Sequence, residues 1–205
     1  MNAKLPQMLP SGAPDRRLTL PMQELMARVL REARERHFVQ LMLVGIAPAC
    51  GTSLIAQQAA QQLAPAFGAV LLIEVRDGAG AAAVLAGDLQ ALLQPGQSVA
   101  RISLSLQAAL ALFAVGQAAS ERLAERLQQT FALVIWDVPP ISQAPIAMAA
   151  ASAMDALVLV AEANKSRRQV AQYVAQRLTD SGGLLLGVVL NRTANFIPQW
   201  LYRWL

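Results

Sequence analysis

The chain has 205 residues, enough for one domain with a sizeable core. Its 55% hydrophobic and 15% charged composition excludes a disordered chain, and much of the apolar content is alanine, which suits helices packed closely on a sheet. One cysteine (Cys50) and one histidine (His37) exclude an internal disulfide and any His-based metal site or triad within one chain, and a lone thiol agrees with a reducing cytoplasm.

Residues 1–19 read as a flexible tail, with Pro6, Pro10 and Pro14 and no continuous apolar run of the kind a secretory signal needs. Leu20–Arg36 places Leu25, Met26, Val29, Leu30 and Ala33 at helical spacing among Arg and Glu, an amphipathic helix. Phe38–Ile46 is a short apolar run before Pro48 and Gly51, a buried strand; Ser53–Leu63 is helical, closed by Pro65 and Gly68. Ala69–Val75 reads as a second buried strand, followed by a Gly/Ala-rich stretch. The longest uncharged stretch, Ile102–Ser120, carries serines and glutamines and is broken by Gly116. It reads as loop plus buried helix, since a membrane span wants about 20 mostly apolar residues. A charged helix follows at Glu121–Gln129, then strands at Phe131–Asp137 and Asp155–Ala161, a helix at Lys165–Thr179, and a last strand at Leu184–Leu190.

Continuous apolar strands alternating with helices predict an α/β fold, a mostly parallel doubly wound sheet in three layers over residues 20–194. Ligands in such folds sit beyond the carboxyl ends of the strands, which directs the search to the loops after Ile46, Val75, Asp137, Ala161 and Leu190. The first of these reads Ala47-Pro48-Ala49-Cys50-Gly51-Thr52-Ser53, and its residues from Pro48 on, with Leu54 of the helix and Asn191, are the nucleotide-binding candidates, vestigial or weak. A phosphate-binding loop at this place uses helix amides, glycines, a Lys for the β/γ-phosphates and a Ser/Thr hydroxyl for magnesium. Gly51 and Ser53 stand where two of those parts belong; Thr52 stands at the Lys position and Ala49 at a glycine. An ordinary strand-to-helix turn accounts for the loop equally well when it is taken alone.

The rest of the chain adds weight to the phosphate loop. Leu133-Val134-Ile135-Trp136-Asp137-Val138-Pro139-Pro140 resembles the Walker B strand of bacterial tyrosine kinases, and Val70-Leu71-Leu72-Ile73-Glu74-Val75-Arg76 resembles their second Walker motif. Ser120-Glu121-Arg122-Leu123 and Gly187-Val188-Val189-Leu190-Asn191-Arg192 follow the same family's manner, so the likeness runs from about Leu20 to Arg192. The wider relatives of that family are the MinD/ParA-like group of P-loop NTPases. The resemblance implies a P-loop NTPase fold and a link to exopolysaccharide or capsule biosynthesis and export. It also implies a cytoplasmic location, peripheral at the inner membrane, with a polysaccharide co-polymerase or synthase component there as partner.

Departures from the family pattern fall on the catalytic parts. Thr52 removes a positive charge, and Arg76 reverses the sign of one acidic position while Glu74 keeps the other. At ~5 Å and an effective dielectric of ~20, a unit-charge pair is worth ~3 kcal/mol, and a divalent ion roughly doubles it, so Arg76 disfavours a metal there. An Arg76–Asp137 ion pair in the metal's place is the expectation. Glu74, Arg76 and Asp137 are then vestigial, and no catalytic residue and no cofactor is expected. In the alternative, an active atypical ATPase or tyrosine kinase binds ATP with Arg76, and Mg on Ser53 and Asp137, because a guanidinium also binds phosphate well. Asn191 stands where the family's relatives read adenine, although Asn is also common at strand ends.

The resemblance further implies ring assembly through Glu-x-x-Arg-x-x-Arg. Arg28 and Arg31 match its arginines and are the oligomer contact candidates, but Leu25 stands at the Glu position. The family's C-terminal tyrosine cluster is reduced to Tyr202. In residues 195–205, Trp200, Tyr202 and Trp204 form an aromatic tail suited to a membrane interface or a docking groove. A membrane-associated positioning protein of the MinD/ParA type is the second alternative. Nothing in the sequence matches a nucleic-acid module, and 5% aromatics supply few stacking platforms, so no nucleic-acid partner is expected.

Overall fold

The apolar runs at residues 40–45, 70–76, 133–138 and 156–162 become neighbouring parallel strands because each is buried on both faces and cannot tolerate a solvent side. The computed structural model describes residues 19–78, 85, 87–114, 117–163 and 165–191. In chain order these form α1 (Thr19–Glu35), β1 (Gln40–Gly45), α2 (Thr52–Phe67), β2 (Val70–Arg76), β3 (Val99–Ser105), α3 (Leu106–Ala114) and α4 (Gln117–Gln128). Then follow β4 (Leu133–Val138), α5 (Ile146–Ala150), β5 (Ala156–Glu162), α6 (Arg168–Asp180) and β6 (Leu185–Asn191). The six strands form one sheet in the order β3-β2-β4-β1-β5-β6, and every pairing in it is parallel.

Two apolar layers cover the sheet. On one face, Met22, Leu25 and Val29 of α1 and Ile55, Ala59 and Leu63 of α2 pack on Leu41, Leu43, Leu72 and Ile135. On the other, α3 to α6 pack on Met42, Ile73, Val134, Trp136 and Leu159. Alanines at the α2 contact (Ala56, Ala59, Ala60) let that helix lie close to the strands. The indole buried in the core is satisfied: Trp136 Nε1 donates to Gln40 Oε1 at 2.9 Å, and Phe113 meets the indole edge-on.

Two expectations are corrected. Residues 99–105 form a sixth strand, so strand accounts for the front of the stretch expected to be loop plus buried helix, and Ala109 is the buried residue of α3. β3 lies at the sheet edge and alternates buried Ala100, Ile102 and Leu104 with exposed Arg101 and Ser103. A half-solvated edge carries this period-two signal in place of a continuous apolar run. Pro65 does not close α2, which runs on to Phe67. Proline costs the bond to the carbonyl of residue 61, but Gln61 and Pro65 both face water, and Gly68 N still donates to Ala64 O at 2.8 Å. Among the described residues no helix is long and apolar enough to cross a membrane.

Candidate functional site

β1 is central, with β4 on one side and β5 on the other, so the loop after β1 opens at a topological switch point. Sharp backbone turns shape that loop. Ala49 has φ 59° and Gly51 φ 89°, and Gly51 is the N-cap of α2 with no side chain capping the helix amides. The loop lines a cleft of about 500 Å³ shared with Arg76, Asp137 and the Pro139-Pro140 turn. Cys50 is buried, its Sγ 3.3 Å from Thr52 Oγ1, whereas Pro48 and Ala49 are exposed and Leu54 points to solvent.

Asn191, at the end of β6, is buried and donates from Nδ2 to the Cys50 carbonyl at 2.8 Å. The amide thus braces the loop from the neighbouring strand ends. A methyl group on Gly51 would meet this nitrogen at 2.1 Å, in a backbone conformation that L-residues rarely adopt. Gly51→Ala is therefore expected to destabilise the fold by about 1–3 kcal/mol in chemical denaturation. A loss under about 0.5 kcal/mol, the level of a neutral surface change, would contradict this account of the loop.

Parallel register places Glu74 of β2 directly beside Asp137 of β4, both on the face that α2 covers. Two buried carboxylates side by side need a cation, and Arg76, two residues along the same strand face, supplies it. Its Nη2 donates to Asp137 Oδ2 at 2.8 Å and to Glu74 Oε1 at 3.4 Å. Gln57 Nε2 donates to the same Glu74 oxygen at 3.0 Å, and Ser53 lines the cleft together with Asp137. The Arg76–Asp137 pair expected from the sequence is thus formed. Gln57 was not singled out, although its place four residues after Ser53 sets both on one helix face, a signal the sequence contains.

Burial is the main influence on Asp137 and raises its pKa above 3.8, against the opposing pull of the Ser53 hydrogen bond and of Arg76. Magnesium keeps several of its waters and takes only a few oxygens from protein and phosphate, and here Ser53 and Asp137 are the side chains that would offer them. In this arrangement the Arg76 guanidinium is bonded to the Asp137 carboxylate at 2.8 Å, a positive charge where the ion would sit. The residues as arranged do not fit that ion.

Arg28 and Arg31 both lie on α1 beside β6; Arg28 Nη1 donates to the Leu186 carbonyl, and Leu25, at the family's Glu position, is buried in the core. Trp200, Tyr202 and Trp204 lie outside the described residues, as does the N-terminal tail through residue 18.

The fold is a three-layer α/β architecture like that of the P-loop NTPases. Plasmid partition protein from Borrelia burgdorferi shares the fold at TM-score 0.51 and 14% identity, covering 80% of this chain and 87% of that one. Within that group the chain is similar to the bacterial tyrosine kinase domains. The VpsO kinase domain matches at TM-score 0.69 and 24% identity over 87% of this chain and 97% of that one. The kinase domain of Escherichia coli tyrosine kinase ETK matches at 0.67 and 19% over 86% and 78%. In sequence, the tyrosine-protein kinase CpsD of Streptococcus agalactiae is 32% identical over 79 residues, 38% of this chain and 34% of that protein. The match therefore spans about a third of the curated relative's length. No family model matches the chain. The resemblance read from the Walker-type strands is borne out by these likenesses.

Proposed function

We propose that the chain is a non-catalytic relative of the bacterial tyrosine kinase domain, acting as a regulator or scaffold of exopolysaccharide or capsule biosynthesis and export. Its partner in this reading is a polysaccharide co-polymerase or synthase component, met at the cytoplasmic face of the inner membrane. The observation that carries the proposal is the Arg76 guanidinium, held between Glu74 and Asp137 where a catalytic relative would need a metal. Phosphoryl transfer works by concentrating positive charge around the γ-phosphate. In this cleft two carboxylates face one guanidinium, and Thr52 adds no charge, so the balance of these groups opposes a polyanion.

Calorimetry of the unaltered chain with Mg-ATP tests the reading. No binding heat is expected up to millimolar nucleotide; micromolar binding would overturn it. A second reading draws on the 40% exposure of the Arg76 side chain, which faces the cleft and has donors beyond Nη2. In that reading the guanidinium serves a nucleotide phosphate in place of the missing lysine. Binding that persists after chelation of magnesium would identify this second case.

A further inference from the structure

Two strands bound the described sheet, and the sequence treats them differently. The β3 edge exposes Arg101, a charge of the kind that guards against strand addition. On β6 the exposed side chains are apolar, Val188 at 45% and Leu190 at 51%. Val189 between them is buried in the layer under α1, so strand alternation puts Val188 and Leu190 on the opposite face, that of α6. Main-chain direction can be followed as well. The Asn191 carbonyl accepts from Ala163 N and so faces β5, and period-two alternation turns the N–H and C=O of Leu190 and Val188 outward. The Leu186 carbonyl also faces out, but it is taken, because Arg28 Nη1 donates to it. Gly187 makes room for that arginine, since a methyl group there would meet Nη1 at 2.6 Å. The open stretch of edge therefore stops at Arg28 and comprises Val188 and Leu190.

Beside this edge a groove of about 520 Å³ is flanked by Glu24, Arg28 and Arg31 of α1, two positive charges against one negative. Among the described residues neither arginine forms an ion pair. We propose that the β6 edge is a docking site for an extended segment of a partner protein in which apolar and acidic residues alternate. Main-chain groups of the segment pair with those of Val188 and Leu190, as in strand addition to other sheet edges. Its side chains opposite Val188 and Leu190 lie on the α6 face and cover these exposed residues. Side chains between them lie on the α1 face, where a carboxylate meets Arg31 and the Arg28 guanidinium. A second copy of this chain fits less well. Isologous antiparallel pairing of two β6 edges puts both α1 helices on one face of the joined sheet and sets their arginines against each other. An anionic membrane would answer the arginines but leave the outward main-chain groups unpaired. The inference goes beyond the proposed regulatory role and is independent of what the phosphate loop binds.

A fluorescently labelled octapeptide of alternating valine and glutamate is the probe, with a valine–lysine peptide of the same length as control. Titrated into the unaltered full chain and read by anisotropy, the glutamate peptide is expected to bind at least about tenfold more tightly than the lysine one. It should also slow amide exchange at Val188 and Leu190 by at least about tenfold. Val188→Pro removes an outward-facing N–H, at an orientation where an edge strand tolerates proline, and should abolish binding. Arg31→Glu, an exposed change on α1, tests the charge without touching the strand and should weaken the glutamate peptide at least about tenfold. No binding at millimolar peptide, equal affinity for the two peptides, or binding that survives either substitution would overturn the proposal. So would protection of the Val188 and Leu190 amides before any peptide is added. Such protection, if lost on dilution, assigns the edge to a second copy, and if constant, to the chain itself.

Discussion

Arg76→Met is expected to cost the fold about 2–3 kcal/mol at neutral pH, near the lower end of what breaking a buried ion pair costs, because Arg76 is partly solvated. Methionine keeps an apolar stem over the strand but leaves Glu74 and Asp137 side by side with no cation between them. The pH dependence has a definite sign. Burial raises the Asp137 pKa above 3.8, and Arg76 is one of the influences holding it down, so its removal raises that pKa further. A carboxyl with a raised folded-state pKa takes up its proton in the native state first. Its charge therefore penalises the fold above that pKa, and the penalty disappears as pH falls through it, in the window above 3.8. The deficit of Arg76→Met relative to the unaltered protein should accordingly shrink on acidification from neutral pH toward that window. Urea denaturation of both proteins across the range measures this. A deficit that stays constant with pH would show that Arg76 acts through packing and not through charge.

The larger effect is expected from Thr52→Lys combined with Arg76→Asp. The lysine places an ammonium in the phosphate loop, and the aspartate replaces the guanidinium that now holds Asp137, freeing Ser53 and Asp137 for magnesium. The two changes should be strongly non-additive, because they act on one charge cluster. Thr52→Lys alone leaves the guanidinium in the metal's position. Arg76→Asp alone gathers three carboxylates with no lysine beside them. In the double variant Mg-ATP affinity is expected to rise at least about a hundredfold, which corresponds to about 2.8 kcal/mol of binding free energy. Titration calorimetry with and without magnesium is the measurement. A folded double variant that binds Mg-ATP no better than the unaltered chain would mean that the loop backbone, with Ala49 and Gly51 in left-handed turns, is what excludes nucleotide.

Much of this was legible in the residues. The buried parallel strands announced themselves as uninterrupted apolar runs, since a strand covered on both faces has no solvent side to encode. Thr52, Arg76, Ser53 and Asp137 were readable because strand-end positions in a parallel sheet converge on one edge whatever the details of packing. β3 was missed because its signal is alternation along a half-solvated edge, and the helix that follows it continues the same uncharged stretch. The reach of α2 past Pro65 was missed because the cost of a helical proline depends on whether the orphaned carbonyl meets water, which spacing does not reveal.

The sequence by itself determined the fold class, the order of the elements apart from β3, and the presence of Thr52 and Arg76 in the site. Those facts are local: residue type, apolar period and position at a strand end. Only the tertiary structure decided what surrounds those two residues. The register of β2 against β4 sets Glu74 beside Asp137, α2 brings Gln57 and Ser53 onto them, and Arg76 closes the cluster. Asn191 reaches the Cys50 carbonyl because the sheet order puts β6 two strands from β1, across β5. Such contacts join residues 61 and 141 positions apart in the chain, and burial makes each of them specific, because a polar group removed from water must find its partner within the fold.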